Sequence, residues 1–436
     1  MRQVLTVGIL AESKNRWERR APLTPHDVKW LVERHIPVEV LSSSLRIFRD
    51  HEFKRAGAKI VTRFKQAKLL IGVKEPLPAE LLNRKIYMVF SHTTKGQPAN
   101  RPLLREALRQ RITLIDYEHI VDLRRQRLVY FGRFAGICGM IDGLHFLGRR
   151  YEAQGIETPL LHVRRALDYK DYKQARRHLR WVARETRKKG FPLPITPFIV
   201  GITGHGNVSQ GAQEVLDIFR PIEIHPKDIM VFIRHQKKRN KQIYKIVFNR
   251  EEKLRSKKRK GFYFEEYLEY PDRFESNLDQ YLPHINMLIN ASYWTKRYPR
   301  LVSEKMIKKL TRQKKKPRLV FIGDLSCDVS GTIEITKKTT TPGNPIYTYH
   351  PETGQIQDGF WRRGIAVLAV DNLPCELPKD ASVDFSALIR DYVYQVAAHG
   401  ALDITEHAAL PGELRRAVIT QNGRFTPPFR YMRQYL

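Results

Sequence analysis

A chain of 436 residues, 42% of them hydrophobic, has material for two cored domains and is too apolar for a disordered chain. Its three cysteines (Cys138, Cys327 and Cys375) form no C-x-x-C pair, and no apolar run reaches the ~20 residues of a bilayer span, which argues against a disulfide scaffold, a cysteine metal site and a membrane protein. With no signal-peptide pattern either, the expectation is a soluble cytoplasmic protein, and its net charge of +33 suits polyanionic ligands.

Residues 4–11 read as a first strand and 16–25 as a polar loop. Thr24 then caps a helix with Pro25 at its first position and Val28, Leu31 and Val32 as its apolar stripe. Residues 38–41, 69–73, 87–90 and 112–115 are further strands. Strands alternating with helices predict a parallel sheet, whose functional groups gather at strand carboxyl ends. Arg20, Lys74, His92 and Glu118 all fall at such ends. Residues 131–151 carry small residues at helical spacing and predict a buried helix bridging two domains, with His145 as a packed core residue. Residues 169–190 predict a basic helix with Tyr172, Ala175, Leu179, Val182 and Ala183 on its apolar side.

The strongest local signal is at residues 195–219. An apolar, β-branched run at 198–203 reads as a buried parallel strand, followed by Gly204-His205-Gly206-Asn207-Val208-Ser209 and a helical spacing through Ala212, Val215, Leu216 and Phe219. Strand, glycine turn and helix form the context of a dinucleotide site. Gly204 permits the tight turn, and Gly206 lets backbone N–H groups approach a pyrophosphate at the helix start. Ser209 stands where the strict pattern has a third glycine. A plain glycine-rich turn is the alternative. Residues 221–226 then read as the second strand of the unit, with His225 near the position of the ribose-reading acid, Glu223 just before it and Lys227 beyond. Basic groups there lean towards NADP over NAD.

Residues 234–260, including Lys237-Lys238-Arg239 and Lys257-Lys258-Arg259-Lys260, and residues 305–318 are dense in charge and read as solvated faces or loops. Strand character returns at 284–290, at 318–322 before Asp324 and Asp328, and at 367–370 before Asp371-Asn372. The tail after Pro411 reads as an irregular closing segment. The organisation is α/β, with two Rossmann-like doubly wound domains: residues 1–133 plus 331–436 as a discontinuous substrate domain, and 134–330 as the dinucleotide-binding domain.

Taken together, Trp17-Glu18-Arg19-Arg20-Ala21-Pro22-Leu23, Gly72-Val73-Lys74, Phe90-Ser91-His92-Thr93-Thr94-Lys95, Ile115-Asp116-Tyr117-Glu118, residues 204–213, residues 290–294, residues 324–328 and Asp371-Asn372-Leu373-Pro374 resemble the lysine-ketoglutarate reductase half of alpha-aminoadipic semialdehyde synthase. The wider relatives are alanine dehydrogenase and the fungal saccharopine dehydrogenases. The resemblance implies an active site in the cleft between two Rossmann-like domains. It also implies condensation of L-lysine with 2-oxoglutarate, and reduction of the imine to saccharopine by NADPH. Lys74 and His92 match the acid/base pair, Arg20 a substrate-carboxylate binder, and Glu75, Gln97 and Glu118 the substrate site. Gly204, Gly206, Asn207, Val208 and His225 match the dinucleotide site, and Asp324, Asp328 and Asn372 segments on its nicotinamide side. The implied form is a free-standing reductase, which would hand saccharopine to a separate oxidising enzyme.

Two alternatives stay open from the residues. One is another amino-acid or opine-type dehydrogenase of the superfamily, NAD-linked included, since Glu75 after the lysine follows the fungal pattern. The other is a non-catalytic, basic nucleic-acid-binding relative, which the charge favours and the lack of any nucleic-acid module opposes. No metal site is expected, and an oligomer is left open.

Overall fold

The computed structural model describes residues 4–235, 240–313, 317–399 and 410–436. Two compact units form, one from residues 1–131 and 378–436, the other from residues 132–377. Lys237-Lys238-Arg239 and residues 314–316 of the second basic run lie outside the described residues.

The first unit opens with β1 (Val7–Ile9), α1 (Pro25–Val32), β2 (Val38–Leu41), α2 (Asp50–Arg55), β3 (Lys59–Val61), β4 (Leu69–Ile71), β5 (Ile86–Val89), α3 (Arg101–Arg109) and β6 (Thr113–Asp116). Thr24 caps α1 as expected, accepting from the Asp27 N–H at 3.2 Å. The six strands are parallel. Both faces of this sheet are covered, which is why its strands are apolar at successive positions rather than alternating. Leu69, Ile71, Ile86, Met88 and Ile115 pack on one face with Phe385, Ile389 and Val393 of the helix Pro378–His399. Leu70, Tyr87, Val89 and Leu114 pack on the other with Leu103 and Leu104 of α3.

The second unit begins with α4 (Gly132–Glu152) and α5 (Tyr172–Lys189). The expected apolar side of α5 is buried, so its cations point outward. Next come β7 (Phe198–Thr203), α6 (Asn207–Leu216), β8 (Ile222–Glu223), α7 (Ile229–His235), β9 (Ile243–Phe248) and α8 (Arg250–Lys253). A small antiparallel pair, β10 (Leu254–Ser256) and β11 (Phe274–Ser276), precedes β12 (Met287–Asn290) and β13 (Phe321–Asp324). The unit closes with β14 (Ile346–Tyr349), β15 (Ile356–Asp358) and β16 (Ile365–Leu368). The sheet order is β15-β14-β16-β13-β12-β7-β9-β8, with β16, β13, β12, β7, β9 and β8 parallel to one another.

Four expectations change here. The chain does not return to the first unit at residue 331: β14 and β16 pair with each other, and β16 with β13, so hydrogen bonding keeps residues 331–377 in the second unit. The charged run 234–260 is not only surface, because β9 lies within it with Ile243, Tyr244, Ile246 and Phe248 buried. Residues 221–226 do not supply the strand beside β7. They hold the two-residue edge strand β8, and β9 lies between the two. The tail is not irregular either: β17 (Val418–Gln421) and β18 (Arg424–Phe425) form a hairpin antiparallel to β6, turning at Asn422-Gly423 with both residues at positive φ.

The glycines of α4 serve close packing. A Cβ at Gly136 would lie 1.9 Å from the Val208 carbonyl oxygen of α6, and one at Gly211 of α6 would lie 2.0 Å from the Arg133 oxygen. The His145 ring sits beside the Val163 carbonyl at 2.6 Å, as a core histidine should. We expect Gly211→Ala to cost about 3 kcal/mol or more through overpacking, measured by denaturant unfolding, whereas Gly206→Ala, whose Cβ would meet nothing within 4 Å, leaves stability near wild type.

Candidate active site

In the first unit the reactive groups stand where parallel strands end. Lys74 and Glu75 follow β4, His92 follows β5, and Glu118 follows β6. The His92 Nδ1 lies 2.9 Å from a Glu75 carboxylate oxygen, and the Lys14 ammonium donates to the other oxygen of the same carboxylate. Burial alone would raise Glu75, but the hydrogen bonds from His92 and Lys14 outweigh it and hold the carboxyl down at about 2. His92 has a φ of 49°, a left-handed backbone uncommon outside glycine, and its ring stacks near Phe90. Its carbonyl accepts from Asn100, and the Asn100 amide also approaches the exposed Gln97 at 3.4 Å. Sheet geometry therefore brings Glu75 and His92 into contact, with Lys74 next to Glu75 in the chain, and leaves Gln97 on the adjoining loop.

Arg20 is 2% exposed, with its guanidinium carbon over the Phe131 ring at 4.1 Å from the ring centre. Its Nε and Nη2 grip the Glu18 carboxylate at 2.8 and 2.6 Å. Ser382 and Ser386 of the helix Pro378–His399 anchor this loop by accepting from the Ala21 and Thr24 N–H groups. Glu118 pairs with Arg127 at 3.0 Å; burial pushes its carboxyl up, but Arg127 together with the other positive groups around it, Lys95 among them, holds it below the usual range.

One group escaped the sequence reading. Glu12, just past β1, accepts from the Val73 and Lys74 N–H groups at 2.6 and 3.0 Å and so braces the backbone of Lys74. Burial, reinforced by the Glu18 charge, pushes it up to about 7. The strand-end rule that selected Lys74 applies equally to Glu12.

In the second unit, Gly204 has φ of 92°, and a Cβ there would meet the Ala291 carbonyl oxygen at 2.5 Å. Gly206 precedes α6 with open space where its Cβ would be, and no side chain caps the helix. Asn207 and Val208 are therefore the first residues of a helix whose N-terminus has no side-chain cap, the kind of end whose N–H groups could hold a pyrophosphate. Asp324 is fully buried, and its oxygens accept from Asn290 (2.8 Å), Ser326 (2.7 Å) and Thr336 (2.6 Å). Asn290 in turn accepts from Thr203 at 2.7 Å, so this network ties the ends of β7, β12 and β13 together. Asp324 thus braces the site from within, while Asp328 is exposed on the loop after β13 and Asn372 is half-buried after β16. His225 lies at the end of the edge strand β8, one strand removed from β7, with its ring 3.9 Å from the buried Glu252 carboxylate. Among the described residues no cluster of His, Cys, Asp and Glu could hold a metal ion, and no helix is long and apolar enough to cross a membrane.

Comparison with known proteins agrees with this architecture. Residues 8–138 match the alanine dehydrogenase/PNT N-terminal domain, and residues 239–428 match the corresponding C-terminal domain. The chain belongs to the alanine dehydrogenase/PNT family. It is 35% identical, over 98% of its length, to the mitochondrial alpha-aminoadipic semialdehyde synthase of Mus musculus, of which it spans 47%. It is 24% identical over 89% of its length to the L-lysine-forming, NAD-linked saccharopine dehydrogenase of Emericella nidulans, covering 92% of that protein. A solved L-alanine dehydrogenase superposes over 99% of both chains with a TM-score of 0.65 at 19% identity, which places the fold: two Rossmann-like domains.

The two perturbed carboxyls predict opposite pH responses. The stability contributed by Glu12 is fully present below its ordinary value of 4.5 and is lost as pH rises through about 7, so Glu12→Gln should flatten the fall in stability across that window. The contribution of Glu75 is present above 4.5 and lost as pH falls towards about 2, so Glu75→Gln should lessen the acid lability. Denaturant unfolding over a series of pH values reads both, and slopes equal to wild type would refute the assignments.

Proposed function

We propose that the protein is a saccharopine-forming reductase: it condenses the ε-amine of L-lysine with the keto group of 2-oxoglutarate and reduces the imine with NADPH. The supporting observation is the Lys14–Glu75–His92 array beside Lys74 at the ends of one parallel sheet, in a chain that resembles alpha-aminoadipic semialdehyde synthase along nearly its whole length. A second reading, NAD-linked as in the fungal saccharopine dehydrogenases, draws on Glu75.

A dinucleotide whose pyrophosphate is held at the β7–α6 turn would supply the hydride from its nicotinamide ring. The rest is proton movement by this chain's side chains. Attack of the neutral amine on the ketone gives a carbinolamine, loss of water gives the imine, and reduction leaves a secondary amine. Each step moves a proton at nitrogen or oxygen near neutral pH, which calls for positioned acid/base groups. His92 is oriented through Nδ1 by Glu75, leaving Nε2 to face substrate. Lys74 is the second acid/base group, its backbone held by Glu12. Arg20 binds a substrate carboxylate, with Glu18 fixing its plane, while Gln97 and Glu118 line the substrate site. Asp328 and Asn372 approach the nicotinamide side, while Asp324 braces the strand ends from within through Asn290, Ser326 and Thr336.

Purified protein should oxidise NADPH, followed at 340 nm, only when lysine and 2-oxoglutarate are both present. Lys74→Met and His92→Gln should each lower turnover by about 10²-fold or more with the fold intact. Activity solely with other amine and keto-acid pairs would keep the reaction class and displace the substrate. Normal turnover in both variants would remove the pair from the mechanism.

A further inference from the structure

Sheet order relocates the residue that chooses between NADP and NAD. In a dinucleotide-binding unit the group that reads the adenosine ribose stands at the carboxyl end of the strand adjoining the glycine-turn strand, an acid favouring the free 2′-hydroxyl and an arginine the 2′-phosphate. By chain order that strand would be β8, ending at His225. By hydrogen bonding it is β9, because β7 and β9 pair in parallel with Thr203 opposite Phe248. The residues that leave the sheet beside Gly204 and His205 are therefore Asn249 and Arg250.

We propose that Arg250 reads the 2′-phosphate of NADPH. This rests on, and deepens, the reading of the β7–α6 turn as a dinucleotide site. Arg250 is exposed and its guanidinium packs over the Phe264 ring at 4.6 Å, which holds the planar group without consuming its donors. Behind it the buried Lys253 donates to Ser292 at 3.1 Å, just past the end of β12, adding a second positive charge beside the turn. The acids nearby are Glu251 and Glu252. Glu252 is 2% exposed and caps the Asn249 N–H at 2.8 Å, so it faces inward. Glu251 is exposed and is the one acidic competitor named by this geometry for a ribose hydroxyl.

The test is direct binding to the full chain, followed by the fluorescence of NADPH and NADH and by competition with 2′,5′-ADP and AMP. Arg250→Ala should weaken NADPH and 2′,5′-ADP by about tenfold or more, the scale of a lost charge-assisted contact, while NADH and AMP change little. Arg250→Lys should recover part of the loss. His225→Ala should weaken NADPH far less than Arg250→Ala does. The proposal is overturned if Arg250→Ala binds NADPH like wild type, if it weakens NADH equally, or if Glu251→Gln rather than Arg250→Ala controls the preference. Wild-type protein that binds NADH but not NADPH overturns the NADPH reading itself. Binding of neither dinucleotide overturns the dinucleotide site.

Discussion

The second unit depends on one steric constraint, the approach of α4 and α6 to backbone contact. Gly136 and Gly211 stand within about a bond length and a half of carbonyl oxygens on the opposing helix once a Cβ is imagined on them. That approach seats the first turn of α6 at the end of β7. There Gly204 turns the chain beneath Ala291, and Gly206 leaves room for a ligand's phosphates. The buried Thr203–Asn290–Asp324 network braces the same edge of the sheet from inside. Its polar atoms are satisfied by one another, so the buried Asp324 carboxyl rigidifies the strand ends.

The first unit solves a different problem, that of keeping several titratable groups distinct within one strand-end cluster. Glu12 and Glu75 flank Lys74, in contact and in sequence respectively, yet burial lifts one to about 7 while hydrogen bonds from His92 and Lys14 hold the other at about 2. Carboxyls pushed apart in this way are in different charge states at one pH, the first bracing the Lys74 backbone and the second orienting His92. The strained backbone of His92 belongs to the same picture, since the surrounding loop over-determines its conformation.

The excess of positive charge is distributed without a single purpose. The cations of α5 lie outward from a buried apolar stripe, and Lys257-Lys258-Arg259-Lys260 occupy an exposed loop. Such surfaces attract polyanions in general. Arg250 is different in kind, because sheet order carries it to the glycine turn.

Features encoded within a few consecutive residues were legible in the sequence: the Thr24 cap, the β7–Gly204–α6 unit, the close-packing glycines of α4, and the placing of Lys74, His92 and Glu118 at strand ends. Each follows from local backbone preference or from the period of apolar residues, which one window contains. The tail around the Asn422-Gly423 turn reads as irregular in the sequence, because the partner that makes Val418–Gln421 a strand is β6, far earlier in the chain. The tertiary structure alone decided that β9 slips between β7 and β8, that β14 to β16 extend the second sheet, and that Asp324 turns inward while Asp328 stays exposed. Strand order is set by which apolar faces bury best against each other across long separations, and nothing in a strand's own residues states its neighbour. By itself the sequence determined the elements and the chemistry they carry; only the packed sheets decided which of those groups stand side by side.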